Sequence, residues 1–351
     1  MKDVRIEYRK PIYPVNPELM QYLKKYNRLT GIRFFYDDLM RFTGYTAVED
    51  KDGKDTLWLS VYYSEFEHSE IEANLNKIYT LLHSDGDEAV LPYLKVDSIH
   101  YCTFGNSKPF RIRVRNILND NYTNFYIKKA DASRIYGLEL EHILSSNRIN
   151  FLIHQNTLIE EHIVGIPGDV FIEEHLERRT EREKAQIAKD FVKFNERCMI
   201  GLLGDMRSYN YVVIPTHDFD QVVYRIRPID FDQQCYEGHL KIYLPQYFKE
   251  NKKMVEMVKE KLKPNSIEQY RKEVRSAIAK RALASQIRLQ SLLDIMKEDH
   301  ISPPENIDEL KTALQKLTYH TQFLKCNTMG EILETGLRFV VKNYQTSNFL
   351  K

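Results

Sequence analysis

LLGDMRSYNYVV, residues 202–213, and the following YRIRPIDFDQQ, residues 224–234, form the stretch whose reading decides the architecture. Asp205 sits in a loop, Asn210 follows five residues later, and Asp230 ends the hairpin after that. The runs YNYVVIP and QVVYRIRPIDF are rich in branched and aromatic side chains and read as two strands, separated by the polar turn Thr216-His217-Asp218. A hairpin of this kind can bring the three polar side chains to one point. Together they supply a base and two hard oxygen donors, which Mg²⁺ requires. Asp205 would orient or deprotonate a hydroxyl, and Asn210 and Asp230 would hold magnesium against phosphates. The competing metal ligands are Asp218 and Asp220, but these lie in a turn, whereas Asp230 follows an apolar strand.

Upstream, VDSIHYCTFG, PFRIRVRNIL and NFYIKKAD are three strand candidates. A helix is expected from about Ser133 to Leu144, then strands in INFLIHQ and TLIEEHIV, then the link Gly165-Ile166-Pro167-Gly168. Before all of these, residues 1–94 form a leading region, an additional sheet or helical cap. It contains a strand in TLWLSVYY and a helix starting at a Ser69 cap. Residues 172–202 read as largely helical, as does almost everything after residue 250, with breaks at Pro264, Pro303 and Pro304. The expected division is therefore 1–94, 95–164 and 165–351: an extension, a small mixed-sheet lobe and a larger helical lobe enclosing a cleft. RKEVRSAIAKRALASQIR, residues 271–288, is a strongly basic helix candidate, read chiefly as a solvated face.

Leu203-Gly204-Asp205, Asn210 and Ile229-Asp230-Phe231, in this order, resemble the protein-kinase-like superfamily. The resemblance is strongest to its aminoglycoside and choline kinase branch. There the loop reads His-Gly-Asp-x-x-x-x-Asn and a later strand ends in Ile-Asp-Phe or Ile-Asp-Trp; here Leu203 stands where the histidine would be. The Asp230-Phe231-Asp232 triplet is also similar to bacterial toxin-type serine kinases. The resemblance spans roughly residues 95–235 and implies an α+β, bilobal protein-kinase-like fold with ATP and Mg²⁺ as cofactors. It further implies a lysine paired with a helix glutamate on the α and β phosphates: Lys128, favoured over Lys129, with Glu139 favoured over Glu141. The Glu161 carbonyl and Ile163 amide would bind the adenine edge, Gly105 would cover the phosphates, and Arg207 would contact the acceptor or a phosphate. The implied activity is phosphoryl transfer to a hydroxyl of a small molecule or protein. The alternatives are a nucleotide-binding pseudokinase and a helical protein-interaction scaffold.

Composition narrows the remaining classes. Lys and Arg number 51 against 50 Asp and Glu, which gives no global electrostatic case for nucleic acid or an anionic membrane. No apolar run approaches the roughly 20 residues of a membrane span, and MKDVRIEYRK lacks a secretory apolar segment, so a cytoplasmic protein is expected. Cys102, Cys198, Cys235 and Cys326 are too scattered for a zinc or disulfide framework. Neither HExxH nor GxSxG is present.

Overall fold

The computed structural model describes residues 10–219 and 221–344, so Asp220 lies outside the described residues. The fold is α+β, and the chain divides into two compact units. One unit comprises Ile12–Ala132 and Ile149–His162; the other takes the residues before Ile12, Ser133–Arg148 and the chain from Ile163 onward.

In the first unit, α1 (Pro17–Lys25) and α2 (Tyr36–Leu39) precede β1 (Gly44–Glu49) and β2 (Asp55–Tyr62). Then come α3 (Glu65–His83), β3 (Leu94–Cys102), β4 (Phe110–Asn116) and β5 (Asn121–Lys129). After α4 (Ala132–Leu144), whose residues from Ser133 belong to the other unit, the chain returns as β6 (Phe151–His154) and β7 (Thr157–Glu161). All seven strands form one antiparallel sheet in the order β1-β2-β3-β4-β5-β7-β6. The leading region, read as an extension or cap, contributes β1 and β2 to this same sheet through the β2–β3 pairing.

Strand alternation sorts the two faces of the sheet. Phe110, Ile112, Val114, Phe125 and Ile127 are buried in a core with Ile71, Leu75, Ile78 and Leu82 of α3. Helix α3 starts earlier than the expected Ser69: the Ser64 hydroxyl accepts the Glu67 amide as the cap, and the Ser69 hydroxyl donates to the Glu65 carbonyl within the helix.

In the second unit, β8 (Ile166–Pro167) follows the link, then α5 (Gly168–Val170) and α6 (Glu181–Gly201). The hairpin β9 (Tyr211–Asp218) and β10 (Gln221–Pro228) completes a three-stranded sheet in the order β10-β9-β8. The strands run on through the expected turn at 216–218, because His217 and Asp218 pair with Val222 and Gln221. Helices α7 (Lys252–Lys261), α8 (Pro264–Ala284), α9 (Gln286–Glu298), α10 (Pro304–Thr318) and α11 (Met329–Asn343) fill the remainder. Pro264 and Pro304 each open a helix, where a missing amide hydrogen costs nothing.

The basic segment 271–288 is broken at Ser285, between α8 and α9. It is not simply a solvated face. Arg275 is fully buried on Glu196 at 2.6 Å, and Arg288 binds Glu139. All four cysteines are buried free thiols. Among the described residues, no helix is long and apolar enough to cross a membrane.

Candidate functional site

Asp205, Asn210 and Asp230 lie together in the second unit. Helix α6 ends on Leu202 in the left-handed region, at φ 51°, and the chain runs directly into the loop. Leu203, which replaces the histidine of the resembled motif, is buried and forms an antiparallel bridge with Gln234. The amides of Gly204 and Cys235 donate to the carbonyls of Gln233 and Leu202. Backbone pairing therefore braces this loop. Gly204 is required by the close approach, since a Cβ there would meet the Gln233 carbonyl and the Ile242 side chain at 3.0 Å.

Asp205 is also left-handed, at φ 57°, a conformation that costs a non-glycine residue energy unless its surroundings fix it. Its amide donates to the Ile242 carbonyl, and its carbonyl accepts from the Arg207 amide and, at 2.7 Å, from Asn210 Nδ2. The carboxylate takes Arg207 Nε on Oδ1 at 2.8 Å, while Oδ2 has only the long 3.5 Å contact to Asn210 Nδ2. Arg207 is also held by Glu250 at 2.8 Å. Asp230 is brought alongside because the Ile229 amide donates to the Asn210 carbonyl at 3.0 Å.

Burial pushes the Asp205 carboxyl up to about 6, against the pull of its Arg207 bond, and the charges of Asp230 and Glu250 raise it further. Glu237 is pushed up to about 7 by burial first, then by Asp205 and Glu309.

Two arginines answer this excess of carboxylates. Beside Arg207, sequence reasoning missed Arg134, which is 1% exposed and donates through Nη1 to Asp230 Oδ1 at 2.6 Å and Asp232 Oδ1 at 2.7 Å. The available signal was a lone arginine inside the apolar run of α4. That helix lies close to the 231–234 segment. A Cβ on Gly137 would meet Phe231 and Gln234 at 3.1 Å, and the Ser133 hydroxyl donates to the Gln234 carbonyl at 2.6 Å. These contacts explain why residues 133–148 cluster with the second unit and not with the small sheet, where the sequence suggested they belong.

The donor set for a metal is limited. Asn210 Oδ1 accepts no hydrogen bond from the described residues, and Asp230 follows Ile229, whose amide donates to the Asn210 carbonyl. Among the described residues, no group of three or more His, Cys, Asp or Glu is arranged as a metal site. Asn210 Oδ1 and the Asp230 carboxylate are hard oxygens of the kind a divalent cation takes, and Arg134 Nη1 already occupies Asp230 Oδ1. Asp218 is at the exposed end of β9.

Lys128 and Glu139, the lysine and glutamate of the implied pair, fall in different units, and each binds a partner within its own. Lys128 is buried and binds Glu160 at 2.9 Å within the sheet unit. Glu139 is fully buried and takes the Arg288 fork, with Nη2 at 2.6 Å, within the helical unit. Each buried carboxylate takes a cation of its own unit, as low-dielectric burial demands. Lys129, on the opposite face of β5 from Lys128, reaches Asp37 at 3.3 Å and is half-exposed. Gly105 lies in the β3–β4 turn at φ 79°. Glu161 ends β7, where its amide donates to the Asn150 carbonyl, and Ile163 is the first residue past the sheet unit.

A scan against protein-family models gives no match for this chain, and a search of curated proteins gives none either.

Proposed function

We propose that the chain is an ATP- and magnesium-dependent phosphotransferase with a bilobal, kinase-like organisation, acting in the cytoplasm on a hydroxyl of a small molecule or protein. The observation that carries this reading is the convergence of Asp205, Asn210 and Asp230, in which Asn210 bonds the first aspartate and its carbonyl anchors the strand end before the second. An Asp205 carboxyl raised to about 6 is a base poised near neutrality. Its Oδ1 is fixed by Arg207, which leaves Oδ2 to accept the acceptor's proton. The acceptor oxygen then bonds to the γ-phosphorus, the bond from that phosphorus to the β,γ-bridging oxygen breaks, and ADP leaves with the electron pair. Asn210 Oδ1 and Asp230 would hold magnesium. Bound there, the ion would neutralise phosphate charge.

The pseudokinase alternative draws on specific observations: Arg134 occupies Asp230 Oδ1, and Lys128 is closed on Glu160. Product-resolved mass spectrometry decides between the two. Wild type and Asp205→Ala are incubated with Mg²⁺, ATP and cell extract. An Asp205-dependent gain of one phosphoryl group on an acceptor supports transfer; nucleotide binding with no product from wild type favours the pseudokinase.

A further inference from the structure

The sheet unit carries cations on the face opposite its apolar core. On β4, Arg111, Arg113 and Arg115 alternate with the buried Phe110, Ile112 and Val114. Cross-strand register places Tyr126 opposite Arg111 and His100 opposite Arg111 on the other side, so these three share the face with Lys128. Five cations point the same way, because Lys95 stands opposite Arg115 in the register, and three of them are neutralised within the sheet unit. Arg113 has Asp97 at 3.5 Å, Arg115 has Asp120, and Lys128 has Glu160 at 2.9 Å.

Lys95 is exposed to solvent, whereas Arg111 is held in place. It is half-buried, its guanidinium lies 4.8 Å from the Trp58 ring centroid, and its Nη2 donates to His100 Nδ1 at 2.7 Å. No carboxylate pairs with it among the described residues. Its histidine partner brings no negative charge. Burial, then the charges of Arg111 and Arg113, hold the His100 ring down to about 4, so it is neutral at physiological pH. A guanidinium fixed by an aromatic ring and a neutral imidazole is preorganised yet uncompensated, and its planar fork matches phosphate oxygens. Arg111 also stands at the first strand position but one after the β3–β4 turn, which carries Gly105, Asn106, Ser107 and Lys108.

We propose that the sheet face centred on Arg111, with His100 and Trp58 holding it, binds a phosphate of a nucleoside polyphosphate. Arg111 thereby supplies the cation that Lys128, tied to Glu160, does not. The identity of the ligand as a nucleotide rests on the phosphotransferase reading, whereas the phosphate chemistry rests on Arg111 alone.

Calorimetric titration of the full chain tests this with three probes: ATP, inorganic tripolyphosphate and adenosine. Arg111→Gln is expected to weaken ATP and tripolyphosphate about tenfold or more while adenosine changes by less than about twofold. Arg111→Lys, which keeps the charge, should recover part of the loss, and Arg115→Gln, the same charge change four residues along, should behave as wild type. Wild type binding tripolyphosphate but not adenosine would retain the phosphate site and reassign its ligand to a free polyphosphate. Four results overturn the proposal: Arg111→Gln binding ATP as wild type does, an equal loss for adenosine, an equal loss in Arg115→Gln, or no tripolyphosphate binding by wild type. Absence of phosphoryl transfer with Arg111-dependent ATP binding intact would instead sink only the phosphotransferase reading.

Discussion

The two units handle buried charge in opposite ways. In the sheet unit, Lys128 and Glu160 are both nearly inaccessible and bind each other, and the half-buried charge on that face with no carboxylate beside it is a cation, Arg111. In the helical unit, carboxylates are in surplus: Asp205, Asp230, Asp232, Glu237 and Glu250 are answered by Arg134 and Arg207. A surplus of one sign is costly in a low dielectric and persists only where other groups hold it. The difference therefore separates a face suited to an anion from a loop suited to a cation or a proton.

The comparison breaks most visibly at Asp205. Asp205→Asn keeps the size and the loop contacts but removes the base, and a fall of about 10²–10⁴ in kcat with KM little changed is expected. Steady-state kinetics on the acceptor found by mass spectrometry measures it, and a loss under tenfold would remove Asp205 from the chemistry.

Next in size is Arg134. Arg134→Met removes the buried guanidinium that binds Asp230 and Asp232, and a loss of about 3 kcal/mol in urea unfolding is expected. In the sheet unit, Lys128→Met should likewise destabilise, and adding Glu160→Leu should restore most of the loss, because an ion pair replaced as a whole leaves no orphan charge. Failure of the double variant to recover would mean that the pair does more than neutralise itself.

A smaller effect sharpens the contrast through pH. Asp205 has a folded value of about 6, above that of a free carboxylate, so its ionisation opposes folding and stability rises as pH falls through 6. His100 has a folded value of about 4, below that of free histidine, so stability is present above about 6.5 and is lost as pH falls toward 4. Between pH 6.5 and 4, hydrogen exchange should accelerate in peptides from β3 and β4 and slow in those spanning 203–212, after correction for intrinsic rates. Changes of the same sign in both would end the comparison. The activity itself should show an acid limb with an apparent pKa near 6.

Much of this was legible from local pattern. Alternation in PFRIRVRNIL and NFYIKKAD gives β4 and β5, prolines open α8 and α10, and the Asp205–Asp230 hairpin brings its ends together because a hairpin is a short-range object. Partner choice was not legible. Lys128 finds Glu160 across 32 residues, Arg134 finds Asp230 across 96, and Arg288 finds Glu139 across 149. Nothing at those positions in the sequence distinguishes one carboxylate from another, and the choice follows from which backbone segments the core brings together. The break at Ser285 was hidden for a different reason: no glycine or proline marks it.

The route of the chain carries its own consequence. It passes between the units at 11–12, 132–133, 148–149 and 162–163, so α4 is cut out of the sheet unit and β6 and β7 are cut out of the helical one. During synthesis β5 emerges well before its neighbour β7, and α4 emerges about 100 residues before the 231–234 segment it packs against. A nascent chain stopped near residue 200 contains every strand of the large sheet and a helix whose packing segment at 231–234 is still to be made. Neither unit is a cassette that can be excised with two cuts, and shuffling of this protein by recombination is confined to exchanges that carry both units together.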